Sequence, residues 1–149
     1  MNQNHNSKLE KGQSLVELTI SLVFLIVLLI GVVDFGLAFF SWVAIRDASQ
    51  EGAVYGAVHP VGADGSLNPD IETRIRNVST TPVRMSDTSR VHVTITPGDP
   101  PCPGMPIDVI VEYDYKTITP FVSTFAGQNF KLRARTINTI LTSDHASCP

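Results

Sequence analysis

A lone carboxylate at the start of a long apolar segment is the group in this sequence best placed to do chemistry. Glu17 follows a short polar stretch that ends at Gly12, and the sixteen residues from Leu18 to Val33 carry no charge. A charge at the edge of a hydrocarbon core is costly, so an acid in this position counts as a functional candidate. Glu17 is therefore the first residue to which we assign a possible role.

A local role for Glu17 is the alternative. Ser14 and Glu17 have the spacing of a capping box, in which both side chains satisfy backbone amides at a helix start. A glutamate in the first turn also complements the helix dipole. The functional role and the capping role of Glu17 are compatible if each applies at a different stage of the protein's maturation.

The apolar segment predicts a membrane-spanning helix. Between Leu18 and Ile45 the only charge is Asp34. An α-helix rises about 1.5 Å per residue, so roughly 20 residues cross a hydrocarbon core of about 30 Å. We expect residues 15–34 to span the membrane. Lys8 and Lys11 precede the segment, which places the N-terminus in the cytoplasm and the rest of the chain outside.

A cleaved secretory signal peptide is the competing interpretation of this segment. It requires small residues at a cleavage site after a shorter apolar stretch. Bulky residues follow Val33 instead, and the helical pattern continues toward Ile45. Retention of the segment as an anchor is therefore favoured.

Beyond the span, small residues recur on one face of the continuing helix. Ala48, Gly52 and Gly56 are spaced by four and predict close packing, either against the globular part or against a neighbouring subunit. A fraying helix end is the alternative for the two glycines. Asp34 is expected to be an interfacial residue at the outer end of the span, with a role in helix packing as the second option. His59-Pro60 should end the helix.

The remainder of the chain predicts a small α+β domain. Asn68-Pro69 is a helix-start signal. Apolar and polar residues then alternate in three stretches near 91–96, 107–115 and 130–140, which indicates an antiparallel sheet of at least three strands. The acidic face of the second stretch and the basic face of the third should lie across from each other.

A meander of these strands brings the two cysteines to one end of the sheet. Cys102 lies in the connection before the second strand, and Cys148 follows the third. We therefore predict a Cys102–Cys148 disulfide. Closing a loop of this length stabilises a fold by about 4 kcal/mol on the chain-entropy model.

Several function classes receive no support from the sequence. The net charge is −3, which does not suggest nucleic-acid binding. The four histidines are scattered, and no phosphate loop, nucleophile elbow or zinc motif is present. We expect no enzyme activity, no cofactor, no metal and no small-molecule substrate.

Three motifs lie along the first 58 residues: Gly12-Gln13-x-Leu15-Val16-Glu17, Val33-Asp34-Phe35-Gly36 and Glu51-Gly52-Ala53. The polar leader that ends in glycine, with glutamate five residues on and an apolar helix behind it, is similar to a type IV prepilin processing site. Together the three motifs resemble the TadE-like family, the pilin-like proteins or pseudopilins of tight-adherence (Flp) pili.

The resemblance implies a pathway and a set of partners. Residues 1–12 would be a cytoplasmic leader removed by a prepilin peptidase between Gly12 and Gln13. Residues 13–58 would be the long helix and 59–149 an extracytoplasmic domain. Glu17 would pair with the N-terminal amine of an adjacent subunit. The protein would be a minor subunit or assembly factor in the inner membrane, packing against other pilin-like subunits.

Two other classes of function remain open from the sequence. The first is an unprocessed single-pass anchor that displays an extracytoplasmic binding module. The second is an anchored enzyme, which would need a cleft with perturbed titratable groups that the sequence does not suggest. Processing of the leader separates the pilin-like pathway from the plain anchor.

Overall fold

The computed structural model describes residues 6–62, 66–78, 81–119, 122–124, 127–143 and 148, with side chains from Gly12 onward. It contains two helices and three strands, and it confirms the α+β fold with a long N-terminal helix and a small antiparallel sheet. The elements are α1 (Asn6–Val58), α2 (Pro69–Asn77), β1 (Val91–Pro97), β2 (Pro106–Lys116) and β3 (Asn129–Thr139).

Helix α1 is one continuous element of 53 residues, about 80 Å long. It begins at Asn6, earlier than the start at Gln13 that the sequence led us to expect, and it ends just before His59-Pro60 as predicted. Ser14 and Glu17 consequently lie inside the helix. The capping-box interpretation of this pair is wrong for the uncleaved chain, since no helix start is present there.

The first half of α1 is exposed, and the second half is covered by the small domain. Described residues 12–58 include one helix that is long and apolar enough to cross a membrane. Its large apolar side chains are exposed throughout the first half, and burial becomes continuous only from about Ser41. A single exposed apolar helix of this kind fits a single-pass membrane protein.

The sheet is a meander in the order β1-β2-β3, with both pairs antiparallel. Strand β2 is central, and its inward-facing residues form the middle of the core against α1: Ile107, Val109, Val111, Tyr113 and Tyr115. Helix α2 starts with Asn68 as its N-cap and Pro69 at its first position, as predicted. It buries Ile71 and Ile75, whereas Val78, the C-cap residue, is exposed.

Strand β2 runs antiparallel to α1, and this fixes which end of the sheet faces which end of the helix. Ile107 lies against Gly56, whereas the Tyr115 hydroxyl reaches the backbone of Asp34. The connection from β2 to β3 is therefore next to the exposed half of α1. The opposite end of the sheet lies beside the end of α1, where the Leu141 amide donates to the Ala57 carbonyl at 2.7 Å.

Opposite charges face each other on the outer surface of β2 and β3, as predicted. Arg133 lies directly across from Glu112, with 3.6 Å between charged atoms, and Arg135 reaches diagonally to Asp108 at 2.7 Å. Both arginine side chains are more than half exposed, and the two acids are partly covered. Because the arginines are solvated, each pair contributes at most about 1 kcal/mol. The basic face of β3 is thus a paired, solvated sheet surface.

The two cysteines are joined. Cys102 and Cys148 form a disulfide with their Cα atoms 5.4 Å apart, which is the pairing that the meander predicted. The sheet end is closed further by backbone hydrogen bonds between Ile140 and the 102–105 turn: the Gly104 amide donates to the Ile140 carbonyl, and the Ile140 amide donates to the Met105 carbonyl.

Candidate functional site

The residues that the sequence singled out are spread along one helix and do not form a single cluster. Glu17 and Asp34 are 17 positions apart on α1, or about 26 Å along its axis. Gly52 and Gly56 lie further on, at the level of the sheet. Within the described ranges, no group of three His, Cys, Asp or Glu side chains could hold a metal ion. The helix therefore presents separate sites, each with its own surroundings.

Glu17 is an exposed carboxylate in an apolar setting. Leu15, Val16 and Leu18 around it are each more than 60% exposed. Among the described residues, the ion pairs lie within the small domain or join it to the second half of α1, and Glu17 takes part in none of them. A carboxylate on this surface can gain a cationic partner from a second chain, or from a new positive charge on its own chain.

The predicted cleavage point lies on an open stretch of the helix. A Cβ atom built at Gly12 would meet nothing within 4 Å, and Gln13 is exposed. A glycine inside a helix costs about 1 kcal/mol relative to alanine, so α1 is locally easier to unwind here. This position suits a protease that must bind the backbone in an extended form.

Asp34 is buried by its own chain. Only 3% of the residue is exposed, although it lies among apolar positions of the predicted span. Its Oδ2 atom accepts a hydrogen bond from the Thr119 amide at 3.3 Å and a second, short one from the Thr119 hydroxyl. Its Oδ1 atom is buried and has no hydrogen-bond partner in the described part of the protein. Asp34 is thus a tether between α1 and the β2–β3 connection, a contact within its own chain that the sequence did not predict.

Tyr115 adds a second link at the same point. Its hydroxyl donates to the backbone carbonyl of Asp34 at 3.4 Å. Burial raises the pKa of Tyr115, with smaller electrostatic contributions from Asp34 and from Tyr113. The phenol therefore stays protonated at neutral pH and available as a donor.

An apolar cleft of about 180 Å³ opens beside this tether. Asp34 and Tyr115 line it together with apolar side chains such as Phe35, Val122 and Phe130. The volume is enough for water, but the Oδ1 atom of Asp34 is buried from it. Sequence reasoning identified Asp34 but missed Tyr115 and Thr119, because nothing in the local sequence pattern marks either residue as a partner for an acid 81 or 85 positions away.

The two glycines of α1 are placed against the small domain. A Cβ atom at Gly52 would lie 2.5 Å from Cδ1 of Ile75, and one at Gly56 would lie 2.5 Å from Cδ1 of Ile107. Both glycines are buried. Of the two packing partners that the sequence left open, the structure places the globular part of the same chain at this ridge.

We expect replacement of Asp34 with alanine to loosen the small domain from α1. The change leaves the amide and hydroxyl of Thr119 without their acceptor, and such a loss costs about 1–3 kcal/mol. Thr119→Val should destabilise the protein less, since the backbone amide keeps its bond, and a double-mutant cycle should show coupling. Thermal unfolding of the full chain in detergent, followed by the near-ultraviolet circular dichroism of the tyrosines, measures both effects.

Asp47→Ala is the matched control, because Asp47 is an exposed acid on the same helix. It should change stability by no more than about 0.5 kcal/mol. Equal effects of the Asp34 and Asp47 substitutions, or strict additivity of the Asp34 and Thr119 changes, would contradict the tether.

Comparison with known proteins bears on the N-terminal part of the chain. The model of the family described as TadE-like protein matches residues 12–54, a segment that begins at Gly12 and contains Glu17, Asp34 and Gly52. Neither the curated proteins nor the solved structures gave a match. The family match associates the chain with Tad pili, whose TadE-like proteins are structural or assembly components. Residues 12–54 are thus similar to TadE-like proteins, which confirms the resemblance seen in the sequence.

Proposed function

We propose that this protein is a minor pilin-like subunit or assembly factor of a Tad/Flp-type pilus, anchored in the inner membrane by α1. The observation that carries the proposal is the exposed apolar first half of α1, which from Gly12 onward lies within the segment matched by the family and bears near its start an acid that forms no ion pair with the described residues. Such a surface needs lipid or other apolar helices around it. Its mechanism is the packing of α1 among the helices of other pilin-like subunits.

The proposed orientation places the N-terminus in the cytoplasm and the sheet domain outside. Lys8 and Lys11 precede the apolar segment, and the basic side of a span usually stays in the cytoplasm. A prepilin peptidase would then reach the Gly12–Gln13 bond from the cytoplasmic side. Its substrate is the leader 1–12 followed by the exposed start of the span.

Cleavage would supply a cation close to Glu17. The new α-amine at Gln13 is four residues before Glu17, so the two charges lie on the same helix face, one turn apart. When α1 helices pack side by side, the amine of one subunit and the carboxylate of its neighbour compensate each other's charge in a region of low dielectric. Processing and assembly are thereby linked through one residue.

Processing is tested by the N-terminus and intact mass of the membrane-extracted protein, with and without a matched prepilin peptidase. We expect the 16.2 kDa chain to lose its first twelve residues in a peptidase-dependent way and to begin at Gln13. Gly12→Leu should remain uncleaved, because a branched side chain would obstruct an extended backbone in a narrow protease site.

Gly31→Leu is the matched control for the substitution, since this glycine also has open space around its Cβ position but lies well inside the span. It should be processed normally. An intact leader on the native sequence in the presence of an active, matched peptidase would favour the alternative, an unprocessed single-pass anchor that displays a binding module.

A further inference from the structure

The outward face of α1 stays apolar well beyond Asp34. Phe35, Phe39 and Phe40 are 74%, 49% and 61% exposed, although each lies on the domain side of Asp34. The first charged side chains on this face are the exposed Arg46 and Asp47. The change from apolar to charged surface therefore falls between Phe40 and Arg46, and not at Asp34.

Helix length agrees with this later boundary. From Leu18 to Phe40 the helix rises roughly 34 Å, which matches a hydrocarbon core of about 30 Å with a slight tilt. Tryptophan is enriched at membrane interfaces, and Trp42 lies just beyond Phe40, at the level of this boundary. The Arg46 guanidinium covers the Trp42 ring from the aqueous side at 5.7 Å. Asp34 would then lie about 9 Å below Phe40 along the helix axis.

The tether brings part of the small domain to that depth. Because Thr119 is hydrogen-bonded to Asp34, the β2–β3 connection is held at the level of Asp34. In this connection Ile118 points away from the protein and is 67% exposed, while Val122 lines the cleft beside Asp34. Lys116, at the end of β2, is also exposed.

We propose that the β2–β3 connection is a second membrane-contact element, in which Ile118 enters the outer lipid interface beside α1. We call residues 117–119 and 122–124 the membrane-proximal loop. The partner is a phospholipid surface: the apolar tip meets the acyl boundary, and the Lys116 ammonium can reach the phosphates while its stem lies along apolar surface. The Asp34 carboxyl is kept from lipid because it is enclosed by its own chain. This inference rests on the proposed function, since it requires α1 to span the membrane.

The opposite end of the same domain provides a matched control. Leu141 is 66% exposed, almost the same as Ile118, but it lies beside Ala57 at the far end of α1. Ala57 is about 35 Å from Asp34 along the helix. Two equally exposed apolar residues thus differ mainly in their expected distance from the membrane.

The test uses three variants of the full chain that each add one cysteine: I118C, L141C and L25C. They are handled without reductant so that the native disulfide stays closed. Each new thiol is labelled with the same environment-sensitive fluorophore, and the protein is reconstituted at high dilution in phosphatidylcholine–phosphatidylglycerol vesicles. Quenching by brominated lipids is compared with quenching by aqueous iodide. We expect I118C to be quenched by shallow brominated lipid at least threefold more than L141C, and T119V to reduce this difference.

Each outcome decides the proposal. If brominated lipid quenches the label at L25C while iodide quenches I118C and L141C equally, α1 spans the membrane but the membrane-proximal loop does not contact lipid, and the proposal is overturned. If iodide quenches the label at L25C, α1 does not span the membrane, and both the proposed anchoring and the lipid contact of the loop are overturned. Protection of I118C from both quenchers at every dilution would identify a protein neighbour at this surface and overturn the lipid contact.

Discussion

Replacing Glu17 with alanine is expected to abolish incorporation into the pilus, or copurification with other pilin-like subunits, while the protein remains in the membrane. The carboxylate is exposed on the apolar part of α1 and has no ion-pair partner in the described part of its own chain. Loss of one member of a desolvated charge pair costs about 3–5 kcal/mol, which corresponds to at least a hundredfold weaker association. Immunoblots of sheared pili and of membranes, together with pull-downs, measure the two quantities separately.

Glu51→Ala is the control for this experiment. Glu51 is also an exposed glutamate on α1, but it lies beside the small domain, where it forms a 3.5 Å ion pair with Arg74. An exposed pair of this kind is worth at most about 1 kcal/mol, so assembly should change little. Normal assembly of the Glu17→Ala protein would contradict an assembly role and leave the plain anchor as the better account of the helix.

Removing the disulfide is expected to give the largest loss of stability in the small domain. Cys102 and Cys148 are 46 positions apart, and opening a loop of that size costs about 4 kcal/mol on the chain-entropy model, which is an upper figure. For a domain of this size, such a loss lowers the melting temperature by roughly 15–30 °C. Thermal unfolding of the full-length Cys102→Ala/Cys148→Ala protein in detergent gives the value.

The native protein under reducing conditions is the comparison for the double variant. Both should melt at similar temperatures, since each lacks the same crosslink, and the reductant should not affect the variant. Identical melting of the oxidised native protein and the double variant would show that the crosslink contributes nothing to the folded state.

The sequence alone determined the elements and their order. A long uncharged run with one interrupting aspartate can bury its backbone polar groups only as a helix in an apolar medium, so α1 was predictable from composition. Strand β2 was predictable because strict alternation from Ile107 to Tyr115 leaves one face apolar. Short connections between successive strands favour a meander, and that topology carried the prediction of the disulfide.

Tertiary structure decided what each singled-out residue touches. The partner of Asp34 is Thr119, which is 85 positions away, and the groups packed on Gly52 and Gly56 come from α2 and β2. Local periodicity specifies which face of an element is apolar, but it does not specify which distant element covers that face. The sequence therefore predicted a long apolar helix and a small sheet, whereas three-dimensional packing of the sheet along α1 decided that Asp34 is enclosed within the protein.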